Sequence, residues 1–150
     1  KNFTMRTGGR TFEAAAFLRR SGADTAEVKK LFQNDLEDTI AKYSIIQNAH
    51  LYREHIAVAV SAKPVGRVIA AQAADELLNI IGIDASFVLA PDGDTVNISA
   101  RSMGDVNVQV VLEALGGGGN AAAAGGQVTG KSIEDVAREL MQAIDQYLEG

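Results

Sequence analysis

Gly116, Gly117, Gly118 and Gly119 stand together, and this run limits what the second half of the chain can become. Glycine loses more backbone entropy on ordering than any other residue, so four in a row weaken any helix or strand that contains them. A folded chain keeps such a run where φ must be positive or where something approaches the bare backbone. An apolar helix pattern ends directly before it. Asn120 and a stretch of alanine and glycine over 121–126 come directly after. Backbone N–H groups with no Cβ in the way can converge on an anion, which makes the segment a candidate phosphate cradle. A helix C-cap or a mobile linker accounts for the same glycines, and the run alone does not separate these readings.

Composition narrows the function classes. The 150 residues suit one domain, or one domain with a fragment of a neighbour. A chain of this length buries roughly two-thirds of its unfolded surface. Hydrophobic residues at 47% and charged residues at 22% read as soluble and globular. A net charge of −5 argues against a broad basic footprint for duplex DNA, but not against a small anionic ligand in a locally positive pocket. With no cysteine, disulfides, thiolate metal sites and cysteine nucleophiles are excluded. No apolar stretch approaches the roughly 18 residues of a membrane span. The chain opens on Lys1 in mid-pattern and reads as a piece of something longer, with 1–10 as the end of a preceding strand and its turn.

The first third carries helix signals. One helix is expected over 11–20, a short one begins at Asp24 with Thr25 as N-cap, and a third over 35–48 places Leu36, Ile40, Tyr43 and Ile46 in a stripe. The texture then changes. Ile56, Val58 and Val60 alternate with small residues, as in a strand. Pro64 opens a long helix expected to reach Ile81 and stop at Gly82. Residues 85–90 and 94–100 flank Pro91, Asp92 and Gly93, which predicts an antiparallel hairpin. Asp105 is the expected cap of a helix over 106–115. Residues 121–124 suit one turn of helix and 127–129 a short strand. Ser132 with Asp135 opens a last helix along Ile133, Val136, Leu140, Ile144 and Leu148. A helical connector thus precedes an α/β module, with the boundary near 48–54.

Few residues point to chemistry. His50 and His55 are the only histidines and have few carboxylates near them in sequence, so they read as structural rather than metal ligands. The acidic clusters Asp35, Glu37, Asp38 and Glu134, Asp135 sit at helix starts, where negative charge suits the macrodipole. Arg101 and Ser102 end a predicted strand close to the helix that leads into the glycines. A guanidinium grips a phosphate through two parallel N–H bonds, and a serine hydroxyl adds a donor. Asn120 offers a donor and an acceptor to a base or sugar, or serves as the N-cap of a helical turn beginning at Ala121. Arg6 to Arg10 form a second small basic loop with two glycines, equally readable as a polar turn.

Arg101-Ser102, then Asp105-Val106-Asn107-Val108, a helix, the four glycines and the small residues through Gly125 resemble the DHHA1 domain, the substrate-binding half of DHH-family phosphoesterases. Met5-Arg6-Thr7-Gly8-Gly9-Arg10-Thr11-Phe12-Glu13 and Gly22-Ala23-Asp24-Thr25 look like the end of a DHH domain and its linker. In detail they are similar to the branch that cleaves cyclic di-AMP. The resemblance implies an α/β fold, a mixed sheet flanked by helices and preceded by a helical linker. It divides the chain into 1–22 (end of the DHH domain), 23–53 (linker) and 54–150 (DHHA1-like domain). It implies that two manganese ions, held by a DHH domain absent from this chain, activate water for attack on a phosphodiester. This segment would then bind a cyclic dinucleotide or short oligonucleotide, would hold no cofactor, and would be inactive alone. It would be cytoplasmic, in a parent that is membrane-anchored. Arg101, Ser102, Gly116, Gly117, Gly118, Gly119 and Asn120 would form the substrate site. The family most often has histidine where Asn120 stands, and asparagine cannot carry positive charge or act as an acid. A non-catalytic nucleotide-binding or docking module is the alternative. Phe12 and Ala16 offer an apolar face through which two copies could pair.

Overall fold

The computed structural model describes residues 25–150. The loop expected at 6–10, the helix at 11–20 and the apolar face at Phe12 and Ala16 lie outside the described residues. Helix α1 runs Thr25–Gln47 without a break. The two helices expected there are one, because neither Gly nor Pro interrupts 25–47 and Asp35 alone does not stop a helix. The expected stripe also shifts. Leu36, Ile40 and Tyr43 are exposed, and Ile45 is the buried side chain.

Residues 41–150 form a compact unit built on a six-stranded sheet. Its strands are β1 (His50–Tyr52), β2 (Ile56–Val60), β3 (Ala85–Asp92), β4 (Thr95–Ser102), β5 (Gly118–Gly119) and β6 (Ala123–Thr129). They lie in the order β1-β2-β3-β4-β6-β5. Only β2 and β3 pair in parallel; every other neighbour is antiparallel. The parallel pair needs a crossover, which α2 (Arg67–Leu78) supplies. α3 (Val108–Glu113) and α4 (Ile133–Glu149) complete the element order.

The strand alternation expected for β2 becomes a two-sided core. Ile56 and Val58 join Phe87, Leu89, Val96, Ile98 and Ala100 on one face, under Val108, Val111 and Leu112 of α3 and Val136, Leu140 and Ile144 of α4. Ala57, Ala59, Val88 and Ala90 face the other way, against Ala70, Ala73, Ala74 and Leu77 of α2 and Ile45 of α1. Alanine against alanine lets α2 lie close to the sheet. Ser86, fully buried, donates its hydroxyl to the Ala74 carbonyl at 2.7 Å across that contact.

Several boundaries differ from expectation. α2 starts after Gly66 rather than at Pro64 and ends at Leu78. Two further turns, Ile80 N–H to Leu77 and Ile83 N–H to Ile80, carry the chain past it, so Ile81 is fully exposed instead of core. The hairpin of β3 and β4 pairs as expected, from Asp92 opposite Thr95 to Ala85 opposite Ser102. α3 is capped by Asn107, whose side chain accepts from the Val110 N–H, and not by Asp105. Residues 121–124 are not helical: β6 begins at Ala123. Ser132 caps α4 as expected, accepting the Asp135 N–H at 3.1 Å.

Candidate functional site

Arg101 and Ser102 are consecutive in β4, so strand alternation sends them to opposite faces. Ser102 continues the row of Val96, Ile98 and Ala100 on the α3–α4 side, where it is buried. Its hydroxyl accepts the Gly104 N–H at 3.0 Å and shapes the turn after β4. The structure therefore does not bring the Ser102 hydroxyl to the face of Arg101. Arg101 lies on the α2 side, half-buried. Its Nε donates to Asp75 Oδ1 of α2 at 2.9 Å and its Nη1 to the Ala100 carbonyl at 2.8 Å. Nη2 has no partner among the described residues. Asn97 shares that face of β4; it is buried, and its Oδ1 has no hydrogen-bond partner among the described residues.

The glycines separate into different tasks. Gly116 has φ +83° and closes α3: its N–H donates to Glu113 at 3.1 Å, and the Gly117 N–H donates to Leu112 at 2.8 Å. This is the paired 5→2 and 6→1 bonding of a Schellman ending. A Cβ on Gly117 would stand 2.6 Å from the Gly125 carbonyl oxygen, and one on Gly119 2.5 Å from that of Ala123. Those two glycines let β5 lie against β6. At Gly118 a Cβ would meet nothing within 4 Å, so bare backbone there faces open space.

Asn120 closes the turn between β5 and β6. Its Oδ1 accepts from the N–H groups of Ala122 and Ala123, both at 2.9 Å, and its own N–H donates to the Ala123 carbonyl at 2.8 Å. The acceptor that could have met a base or sugar is thus occupied, which leaves the exposed Nδ2 as a donor. The N–H groups of Gly116, Gly117 and Asn120 all have acceptors within the chain, so the expected cradle is not a simple ring of free donors.

The same hydrogen bonds bring Arg101, Ser102 and the turn together. Arg101 is opposite Ala123 in the β4–β6 register, the Ser102 N–H donates to the Ala122 carbonyl at 2.9 Å, and the Val108 N–H donates to Ala121. Asp75 is the residue that sequence reasoning missed. Its only signal is a polar position on an alanine-rich helix, and nothing local says that this helix crosses above Arg101.

The model for the DHHA1 domain matches residues 53–150, which takes in Arg101, the turn and every strand after β1. The chain belongs to the DHHA1 family. It is 44% identical over its full length to the cyclic-di-AMP phosphodiesterase GdpP of Bacillus subtilis, of which it covers 24%. It is 43% identical, again over its full length, to the cyclic-di-AMP phosphodiesterase PdeA of Listeria monocytogenes, of which it covers 23%. The chain thus spans about a quarter of the length of these curated relatives. Two solved structures share the fold. An exopolyphosphatase-related protein from Bacteroides fragilis aligns over 87% of this chain and 41% of its own, with a TM-score of 0.66 at 20% identity. A pGpG-specific phosphodiesterase from Vibrio cholerae aligns over 80% of this chain and 43% of its own, with a TM-score of 0.55 at 17% identity.

Other polar and apolar features of this DHHA1 unit lie apart from Arg101. No group of three His, Asp or Glu side chains among the described residues could hold a metal ion. His55 Nδ1 instead meets the Gly82 carbonyl at 3.0 Å. His50 and His55 line a groove of about 390 Å³ with Leu51, Leu77, Ile80 and Ile81. The groove is mostly apolar and shares no residue with Arg101, Asp75 or the turn. In the turn between β1 and β2, Arg53 and Glu54 hold positive φ angles of 56° and 73°. Arg53 donates to Asp145 at 2.9 Å and Glu149 at 2.8 Å on α4, and the Tyr52 hydroxyl donates to Asp145 at 2.7 Å. That hydroxyl bond, helped by the guanidinium, holds the Asp145 carboxyl below its ordinary range, and the same bond raises the Tyr52 phenol. Among the described residues no helix is long and apolar enough to cross a membrane.

Proposed function

We propose that this DHHA1 chain binds a cyclic dinucleotide or a short oligonucleotide for a phosphodiesterase whose metal centre belongs to another part of the parent protein. The parent hydrolyses cyclic di-AMP to linear pApA. The observation that carries the reading is Arg101, a half-buried guanidinium with Nη2 open, set across one strand pairing from the Asn120 turn. Arg101 and the open backbone of Gly118 lie two strand spacings apart and two residues apart along the strands, about 12 Å. A dinucleotide covers that span and a lone phosphate does not. Similarity over the whole of this chain to about a quarter of two cyclic-di-AMP phosphodiesterases supports the substrate class.

In this reading Arg101 pairs with a phosphate, the Asn120 Nδ2 donates to substrate, and Gly118 lets the substrate approach the backbone. Gly116, Gly117, Gly119 and Ser102 build the turns that hold those groups in place. No hydrolytic step is assigned to these residues. Calorimetric titration with cyclic di-AMP and pApA tests the reading. Charge-assisted hydrogen bonds contribute about 1.5–3 kcal/mol, so Arg101→Ala is expected to weaken binding roughly 10- to 100-fold. Equal affinity in the two proteins would overturn it.

A further inference from the structure

Arg101 is engaged by its own chain at the very edge a phosphate would use. A guanidinium grips an anion through two parallel N–H groups, either Nε with Nη2 or Nη1 with Nη2. Here Nε is committed to Asp75 Oδ1 at 2.9 Å and Nη1 to the Ala100 carbonyl at 2.8 Å. Each of the two gripping edges is therefore already half occupied, and only Nη2, common to both, is open. The Ala100 carbonyl belongs to the strand that carries Arg101 and moves with it. Asp75 comes from a different element, α2, and its side chain is 52% exposed while that of Arg101 is 22% exposed. The carboxylate is thus the partner that can be displaced without disturbing the sheet.

We infer that Asp75 is a latch on Arg101: it occupies the Nε side of the guanidinium in the free protein and must give way when an anion takes the Nε–Nη2 edge. The inference rests on the proposed function, in which Arg101 meets the phosphate. The latch works by competition: Asp75 holds the Nε donor that a phosphate on the Nε–Nη2 edge needs. Exposed ion pairs are weak and screened by salt, so the latch shifts affinity by a small factor and sets a threshold rather than a block. It selects for ligands that carry more than one phosphate contact, because a second contact, at the Asn120 turn, helps pull Arg101 from Asp75.

The test is titration of the 150-residue chain with pApA at low salt and at 0.5 M salt, in the wild type and in Asp75→Asn, Arg101→Ala and the double variant. Asp75→Asn keeps an acceptor of the same shape and removes the charge, at a half-exposed helix position where the fold does not depend on it. It is expected to tighten pApA binding about 3- to 10-fold at low salt, with less gain at high salt. The double variant is expected to bind as weakly as Arg101→Ala, because the gain acts through the guanidinium. Loss of binding in Arg101→Ala with no gain, or a loss, in Asp75→Asn overturns the latch while leaving the phosphate site standing. Asp75 then orients Arg101 instead. A gain that survives in the double variant also overturns it, since the charge alone is then responsible. Unchanged binding in Arg101→Ala overturns the site and the latch together.

Discussion

At residue scale, the four glycines are not interchangeable. A Cβ on Gly119 would enter the Ala123 carbonyl at 2.5 Å, and φ there is +146°, so no rotamer or small shift relieves the contact. Gly119→Ala is expected to lower unfolding stability by about 2–3 kcal/mol, measured by urea denaturation. Gly118→Ala adds a methyl to open space, and its stability is expected to stay within about 0.5 kcal/mol of the wild type. If both cost the same, the difference between the two glycines is not the one described. Asn120 permits a sharper separation of turn from ligand. Asn120→Asp keeps an oxygen for the Ala122 and Ala123 N–H groups, removes the Nδ2 donor and adds a negative charge. It is expected to fold normally and bind pApA about tenfold more weakly; full affinity would remove Asn120 from the site. Nothing in the local sequence distinguishes these roles. The atoms that leave no room for a Cβ on Gly117 or Gly119 sit across a hairpin, at Ala123 to Gly126, and a run of glycines looks the same whether its partner is a ligand or its own chain.

At the scale of elements, the small face of α2 decides where Asp75 stands. Ala70, Ala73 and Ala74 are fully buried in a cluster with Ala57, Ala59, Val88 and Ala90 of the sheet. Ala74→Leu is expected to cost about 1–3 kcal/mol by overpacking and to lift the helix, lengthening the contact from Asp75 to Arg101. Thermal unfolding checks the first effect and a changed Arg101 side-chain NMR signal the second. β1 and β2 are tied to α4 by Tyr52, Arg53 and Asp145. The Asp145 pKa is lowered, so its contribution is present above the ordinary carboxylate range and lost as pH falls through the lowered value. The Tyr52 pKa is raised, so its contribution is present below the ordinary 10.0 and lost as pH rises beyond it. Amide exchange in 50–56 is therefore expected to show protection that is flat between pH 5 and 9 and falls at both extremes, and Asp145→Asn is expected to abolish the acid fall. Periodicity made α2, the β3–β4 hairpin and α4 legible, because each is long enough to repeat its pattern. β1 has three residues and β5 two, too few to alternate. The start of β6 reads as helix because alanine favours helix, and only the free edge of β4 turns it into a strand.

At the scale of the whole molecule, the proposed function separates binding from hydrolysis. The sheet places Arg101 and the Asn120 turn on adjoining strands of one compact unit, residues 41–150. Among the described residues no three His, Asp or Glu side chains could hold a metal ion. In the proposed reading a phosphodiester is held by the guanidinium, the Asn120 side chain and the Gly118 backbone, and its cleavage belongs to the metal centre of the parent. Net charge is −5, so long-range attraction does not bring an anion to this surface, and the local cation must do the work at short range. One guanidinium releases little bound salt, so affinity is expected to fall only gently with ionic strength, with a log–log slope of about −1 rather than the steep slopes of many-phosphate binders. Accordingly, pApA affinity of this chain is expected to be the same in excess EDTA as in millimolar manganese, and no cleavage of cyclic di-AMP is expected to accompany binding in either. Calorimetry beside chromatography of the nucleotide measures both. Binding that vanishes with EDTA would show that a metal ion bridges protein and phosphate, and Arg101 would no longer suffice as the anchor.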